Sequence, residues 1–145
     1  IAPTSFSDAG YFGDLLGASL KAHGVSGVVL DAGCRDIAVL REAGFPVWSR
    51  AISAQGTVKE TLGDVNIPIV CAGQIVHPGD VIVADDDGIV VVPRLQADEI
   101  AKKSAAREAR EDQVRARYDA GELGIDINNM RPRLAEKGLV YKDME

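Results

Sequence analysis

Cysteine is scarce in this 145-residue chain: there are two, Cys34 and Cys71. Two thiols far apart, with no CxxC pair, exclude a disulfide framework and a zinc site of that kind. Such sparing use suits a reducing cytoplasm, which is the expected location. Positive charge is also in deficit, 16 Lys and Arg against 22 Asp and Glu, for a net charge of −6. Nucleic-acid binding normally requires a basic face, so none is expected. No apolar run approaches the length of a membrane span, and no signal peptide is visible. There is no internal repeat. What remains is 46% hydrophobic and 26% charged, the balance of a globular domain with a core to bury. One domain over residues 1–145 is expected. The chain starts at Ile1 rather than methionine. Its first nine residues read as a loop entering a fold already under way.

The periodicities point to an α/β architecture. Gly10 to Gly13 is a glycine-flanked approach to a helix from Asp14 to His23, stopped by Gly24. The first strand of that unit is expected to be missing from the chain. Gly27 to Leu30 is a short continuous apolar run, as in a strand buried on both faces. Asp31-Ala32-Gly33 reads as a turn. Asp36 opens a second helix that ends at Gly44, and Pro46-Val47-Trp48 is another strand. A helix between two buried strands is a βαβ unit. Ile67 to Val70 reads as a further strand. Val81 to Ala84 and Ile89 to Val92 flank Asp85-Asp86-Asp87-Gly88, whose Asp-Gly pair signals a hairpin. Leu95 to Ala120 is a long helix with sparse apolar positions and alternating charge, the pattern of a solvated or partner-facing helix. A short amphipathic stretch around Met130, Leu134 and Leu139 follows.

Two places carry candidate chemistry. A helix that starts after Gly13 leaves backbone N–H groups unpaired in its first turn, and these favour an anion such as a carboxylate. Asp14 in that turn is either a helix cap or a functional carboxylate. Arg35-Asp36 lies just past the strand, where open α/β sheets bind ligands. Arg35 suits a carboxylate or carbonyl oxygen, and Asp36 suits a hard divalent cation. A capping Asp beside a surface Arg is the alternative. Successive helix starts in a βαβ unit lie on one sheet edge, so Asp14 and the Arg35-Asp36 pair are expected to face one crevice.

These residues form a pattern. Gly13-Asp14-Leu15-Leu16, with twenty residues between Asp14 and the Arg35-Asp36 pair, resembles the D-x20-R-D motif of the 4-hydroxy-4-methyl-2-oxoglutarate/4-carboxy-4-hydroxy-2-oxoadipate aldolases. The resemblance continues through Gly44-Phe45-Pro46-Val47-Trp48-Ser49, Gly56-Thr57-Val58-Lys59, Val76-His77-Pro78-Gly79-Asp80, Ala84 to Gly88 and Met130-Arg131. It spans nearly the whole chain, and the family's N-terminal part, several tens of residues, is expected to be absent. One departure is Val39, where members often carry an acidic residue three positions after the metal-site aspartate.

The resemblance implies an RraA-like α/β sandwich with a mixed sheet: a βαβ unit, then a β-hairpin region, then a long C-terminal helix. It implies a class II pyruvate aldolase with Mg²⁺ or Mn²⁺ on Asp36. Asp14, through a water on the metal, is the implied base, and Arg35 steadies the enolate oxygen. Backbone N–H groups of Leu15 and Leu16 would grip the substrate carboxylate. Thr57 and Lys59 would line the pocket, although Lys59 also reads as a plain solvated lysine. Glu111, or else Glu108, would reach the site from a neighbouring subunit of a homotrimer or homohexamer. Oxaloacetate decarboxylation is the implied side activity. The same family includes RraA-like regulators of ribonuclease E, which commonly lack a complete catalytic set.

Three tempting features take plainer readings. Asp85-Asp86-Asp87 is a hairpin turn rather than a metal cluster, His77 caps a turn, and Cys34 is a small buried residue rather than a reactive one.

Overall fold

A computed structural model of the chain describes residues 1–140; Tyr141, the end of the amphipathic tail, lies outside them. The chain divides into two compact units, Ile1–Arg94 and Leu95–Glu145.

The first unit is built on a three-stranded parallel sheet in the order β1-β2-β3, with β1 at Gly10–Phe12, β2 at Val28–Cys34 and β3 at Val47–Ile52. Helix α1, Asp14–Ala22, joins β1 to β2, and α2, Ile37–Glu42, joins β2 to β3. Two βαβ units therefore stand in series. The chain does contain the strand ahead of the first helix, contrary to the sequence expectation. It is three residues long and has an exposed Tyr11 in its middle, so it carries little apolar signal.

The expected turn at Asp31-Ala32-Gly33 is also corrected, because β2 runs straight through it to Cys34. Two contacts explain this. Gly33 packs against the backbone of Asp8 and Ala9 where any side chain would collide. Asp31 is held by Arg50 Nε at 2.8 Å on β3 and by the Ala72 N–H at 2.9 Å. A charged residue is thus kept within a buried strand by charge-assisted hydrogen bonds.

The core gathers Phe12, Val28, Leu30, Ala32, Cys34, Leu40 and Phe45. Phe12 and Phe45 stack with centroids 6.2 Å apart. Gly17 brings α1 close to α2, since a methyl group there would lie 2.5 Å from Leu40 Cδ2. Burying a side chain such as Leu40 contributes roughly 1.5–3 kcal/mol.

Two antiparallel hairpins complete the unit. In the first, β4 at Ile69–Cys71 pairs with β5 at Gln74–Val76 across Ala72 and Gly73, both at positive φ. In the second, β6 at Val81–Ala84 pairs with β7 at Ile89–Val92. The aspartate turn is a turn: Asp85 Oδ1 accepts from the N–H groups of Asp87 at 2.9 Å and Gly88 at 3.1 Å. Among the described residues no group of three or more His, Cys, Asp or Glu gathers in a metal-holding arrangement. The α/β class holds, but the parallel and antiparallel ladders lie in three separate sheets rather than in the one mixed sheet expected. The turn at Val76–Asp80 is tied by Asp80, which accepts the His77 N–H at 2.8 Å and the Arg94 N–H at 3.1 Å. The capping group there is the aspartate, not the histidine.

In the second unit, α3 spans Ala97–Asp119 and buries none of its residues. Pairs such as Lys103–Glu99 and Arg107–Glu111 run along it at one-turn spacing. Two short helices follow, α4 at Gly124–Ile127 and α5 at Arg131–Glu136. No helix among the described residues is long and apolar enough to cross a membrane.

Candidate active site

The site forms where β1 and β2 both hand over to helices. The Arg35 N–H donates to Phe12 O at 2.9 Å, which aligns the two strand exits. Past β3, Ser53 donates to Cys34 O at 3.0 Å and Gln55 O accepts from Gly10 at 2.6 Å. The segment leaving β3 thus crosses the sheet edge toward β1, where Gly56 bridges Gly10.

Asp36 is the residue on which the geometry turns. It precedes α2 but makes no capping hydrogen bond to it, and its backbone is left-handed at φ 57°, ψ 33°. Asp tolerates that conformation better than most residues. The turn sends its carboxylate to the other helix, where Oδ2 accepts from the Asp14 N–H at 3.3 Å. Arg35 Nε lies 3.7 Å from the same oxygen. Asp14 Oδ1 accepts from the Leu15 N–H at 2.7 Å. Two carboxylates of the chain itself thus sit on the first turn of α1, where free N–H groups and the helix dipole favour negative charge. All of this is open to solvent, with the Arg35 and Asp36 side chains 45% and 39% exposed.

The structure thus brings Asp14, Leu15, Leu16, Arg35 and Asp36 to one edge of the sheet. Asp36 makes no capping bond to its own helix, and its carboxylate meets the start of α1 instead. Thr57 follows Gly56 on the crossing segment, half-buried, with its hydroxyl on Val58 O at 3.1 Å. Lys59 is exposed two residues further on, without an ion pair among the described residues. Glu108 and Glu111 lie on α3 in the second unit. Glu111 pairs with Arg107 at 2.6 Å, and that guanidinium holds its carboxyl below the usual range. Val39, at the departing position, is half-exposed and apolar. Cys34 is fully buried beside the site, and desolvation pushes its thiol up, away from the reactive thiolate.

The sequence reading missed the Asp31–Arg50 pair that braces β2 against β3. The sequence carries no signal for it, because Asp31 meets Arg50 only through the pairing of β2 with β3.

Comparison with known proteins agrees with this architecture. Residues 2–91 match the RraA-like family model described as Aldolase/RraA. A Halalkalibacterium halodurans protein named "Putative 4-hydroxy-4-methyl-2-oxoglutarate aldolase" is 34% identical over 72% of this chain and 50% of its own length. A Methanocaldococcus jannaschii protein is 32% identical, over 82% of this chain and 57% of that one. The chain spans about half the length of the curated relatives it matches. Among solved structures, one from Pseudomonas syringae superposes with a TM-score of 0.78 at 30% identity, covering 84% of this chain and 62% of that one. Streptomyces coelicolor RraAS2, described as an unusual member of the RNase ES inhibitor RraA protein family, gives 0.68 at 35% identity over 75% of this chain and 56% of its own. With its strand exits, its Asp-Arg-Asp cluster and a family match over residues 2–91, the chain belongs to the RraA-like, Aldolase/RraA family.

Proposed function

We propose that this chain carries the site of a divalent-metal-dependent pyruvate aldolase. The substrate would be 4-hydroxy-4-methyl-2-oxoglutarate or 4-carboxy-4-hydroxy-2-oxoadipate, cleaved to pyruvate plus pyruvate or oxaloacetate. The observation that supports this best is the turning of the Asp36 carboxylate away from its own helix and onto the start of α1, beside Arg35 and Asp14.

The donor set fits a hard cation. Asp36 offers exposed carboxylate oxygens with no histidine or thiolate beside them. One protein carboxylate, with waters and substrate oxygens in the other positions, suits Mg²⁺ or Mn²⁺. When bound, the cation would draw electron density from the substrate carbonyl.

The residues of the chain would do the rest. Backbone N–H groups of Leu15 and Leu16 would receive the substrate carboxylate. To do so, Leu15 must release Asp14 Oδ1, so binding itself would free Asp14 to act as a base. Asp14 would take the proton of the tertiary hydroxyl while the adjacent carbon–carbon bond breaks and its electron pair passes into the pyruvate enolate. Arg35 would lie against the enolate oxygen, where a preformed cation lowers the barrier most. Protonation of the enolate carbon, with the proton that Asp14 took returned directly or through solvent water, would complete the release of pyruvate and restore the Asp14 carboxylate. Loss of CO₂ from oxaloacetate would give the same enolate, hence a decarboxylase side activity. Thr57 and Lys59 would meet the distal carboxylate. Glu111 or Glu108 would reach the site from another subunit of a trimer or hexamer, in the cytoplasm.

Pyruvate release coupled to lactate dehydrogenase tests the reading. Turnover that needs Mg²⁺ or Mn²⁺ and stops with EDTA is the expected result; equal turnover without metal refutes it. A second reading, an inhibitor of RNA processing, is favoured by the solved relatives RraAS2 and RraA from Thermus thermophilis, the latter described as an RNA-processing inhibitor. It calls for no pyruvate release and for slowed cleavage by a ribonuclease of the RNase E type.

A further inference from the structure

The Arg35 side chain runs along bare backbone for its whole length. A methyl group placed on Gly10 would stand 3.3 Å from Arg35 Cβ. On Gly13 it would stand 3.1 Å from Arg35 Cγ and Nε, and would overlap Asp36 Oδ2. On Gly56 it would stand 3.3 Å from Arg35 Nη1, with nothing else within 4 Å. None of the three has the positive φ that favours glycine, and Gly13 is extended at φ −154°, ψ −171°. Space, not backbone conformation, is what excludes a side chain at Gly10 and Gly13, and at Gly56 a side chain would be crowded by the Arg35 tip alone. The three glycines differ in what they guard. A methyl group on Gly10 would also stand 2.5 Å from Ser53 O and 3.2 Å from Gln55 O, so a larger residue there strikes backbone. The three atoms nearest a methyl group on Gly13 all belong to Arg35 and Asp36, and Gly56 faces Arg35 alone.

We infer that Gly13 and Gly56 are positioning residues that wall a slot for Arg35, Gly13 at the Nε end beside the Asp36 carboxylate and Gly56 at the Nη1 tip. Arginine is otherwise a long side chain with many rotamers, and a slot of this kind limits how much of that freedom is lost when substrate binds. The guanidinium plane is fixed by the walls rather than by an ion pair, since its distance to Asp36 is 3.7 Å in an exposed setting where such pairs contribute little. A methyl group on Gly56 would crowd Arg35 Nη1 at 3.3 Å and shift the guanidinium tip by a few tenths of an ångström, with no backbone atom in the way.

The inference rests on the aldolase reading for its kinetic consequence, and its test separates the two. Gly56→Ala is made in the natural chain and in an Arg35→Lys background, where no Nη1 exists to be displaced. The first substitution is expected to lower kcat/KM for pyruvate release at least threefold with an unchanged melting midpoint. In the lysine background it is expected to change the residual rate less than twofold. Equal losses in both backgrounds, or none in either, overturn the assignment. Gly13→Ala, which displaces Asp36 as well, is expected to lose more than Gly56→Ala; a smaller loss also counts against the slot. If the natural chain releases no pyruvate, the aldolase reading fails by itself and the slot is judged by NMR alone. The Arg35 Nε–H resonance, identified by its loss in Arg35→Lys, is then expected to shift in Gly56→Ala while β2 amides stay in place; an unmoved resonance overturns the slot.

Discussion

The Asp36 carboxylate accepts a hydrogen bond from the Asp14 backbone at 3.3 Å, although the two residues are 22 positions apart and begin different helices. That contact makes one site of two helix starts. It rests on the left-handed backbone of Asp36, which aims the side chain across to α1 rather than down its own helix.

The first prediction separates charge from backbone at this position. Asp36→Asn keeps a residue that tolerates the left-handed region, so the fold should be retained within about 0.5 kcal/mol. Turnover should fall by roughly 10²-fold or more, because the neutral amide holds a divalent cation poorly. Asp36→Ala should lose turnover similarly and should also cost about 1 kcal/mol, as alanine has no polar group to compensate its Cβ strain. Steady-state kinetics beside urea titration measures both.

Arg35→Ala should lower kcat by roughly 10²–10³-fold, the usual effect of deleting one group that stabilises a developing oxyanion. Its melting midpoint should stay near that of the natural chain, because its one ion pair is long and exposed. Thermal melts and kcat on the same preparation check this.

How much of this was legible in the residues depends on the element. The Asp14 and Arg35-Asp36 pairing followed from βαβ topology alone, and the Asp87-Gly88 hairpin and the polar helix α3 were marked by turn chemistry and charge alternation. β1 was hidden because a three-residue strand with an exposed tyrosine has no periodicity to detect. Asp31 and Gly33 look like a turn, and only the partners Arg50, Ala72 and the Asp8 backbone make them strand. The hairpin at Ala72-Gly73 carries no Asn-Gly or Asp-Gly mark. The roles of Gly13 and Gly56 depend on which side chain passes over them, a tertiary fact.

Stability should depend on pH through Asp31 and Asp80. Hydrogen bonds from the Ala72 N–H and from Arg50 hold Asp31 below its ordinary value of 3.8, and those from the His77 and Arg94 N–H groups do the same for Asp80. A depressed folded-state value means the unfolded chain binds the proton first. The stabilisation is therefore fully present above about pH 5 and is lost as pH falls through the folded value. Urea midpoints from pH 7 to pH 3 should decline, and Asp80→Asn should flatten that decline.

Leu40→Ala should destabilise the first unit by about 2–5 kcal/mol, since Leu40 is 4% exposed and fills the space above Gly17. Chemical denaturation followed by Trp48 fluorescence reads the change.

The central claim is that the start of α1 and the exit of β2 serve one oxo-acid. A crystal soaked with pyruvate and Mg²⁺ measures it most directly. The expected map places the pyruvate carboxylate on the Leu15 and Leu16 N–H groups, with Asp14 Oδ1 displaced from Leu15 and the cation on Asp36. Pyruvate and cation absent from this edge, or found together elsewhere on the protein, would contradict it.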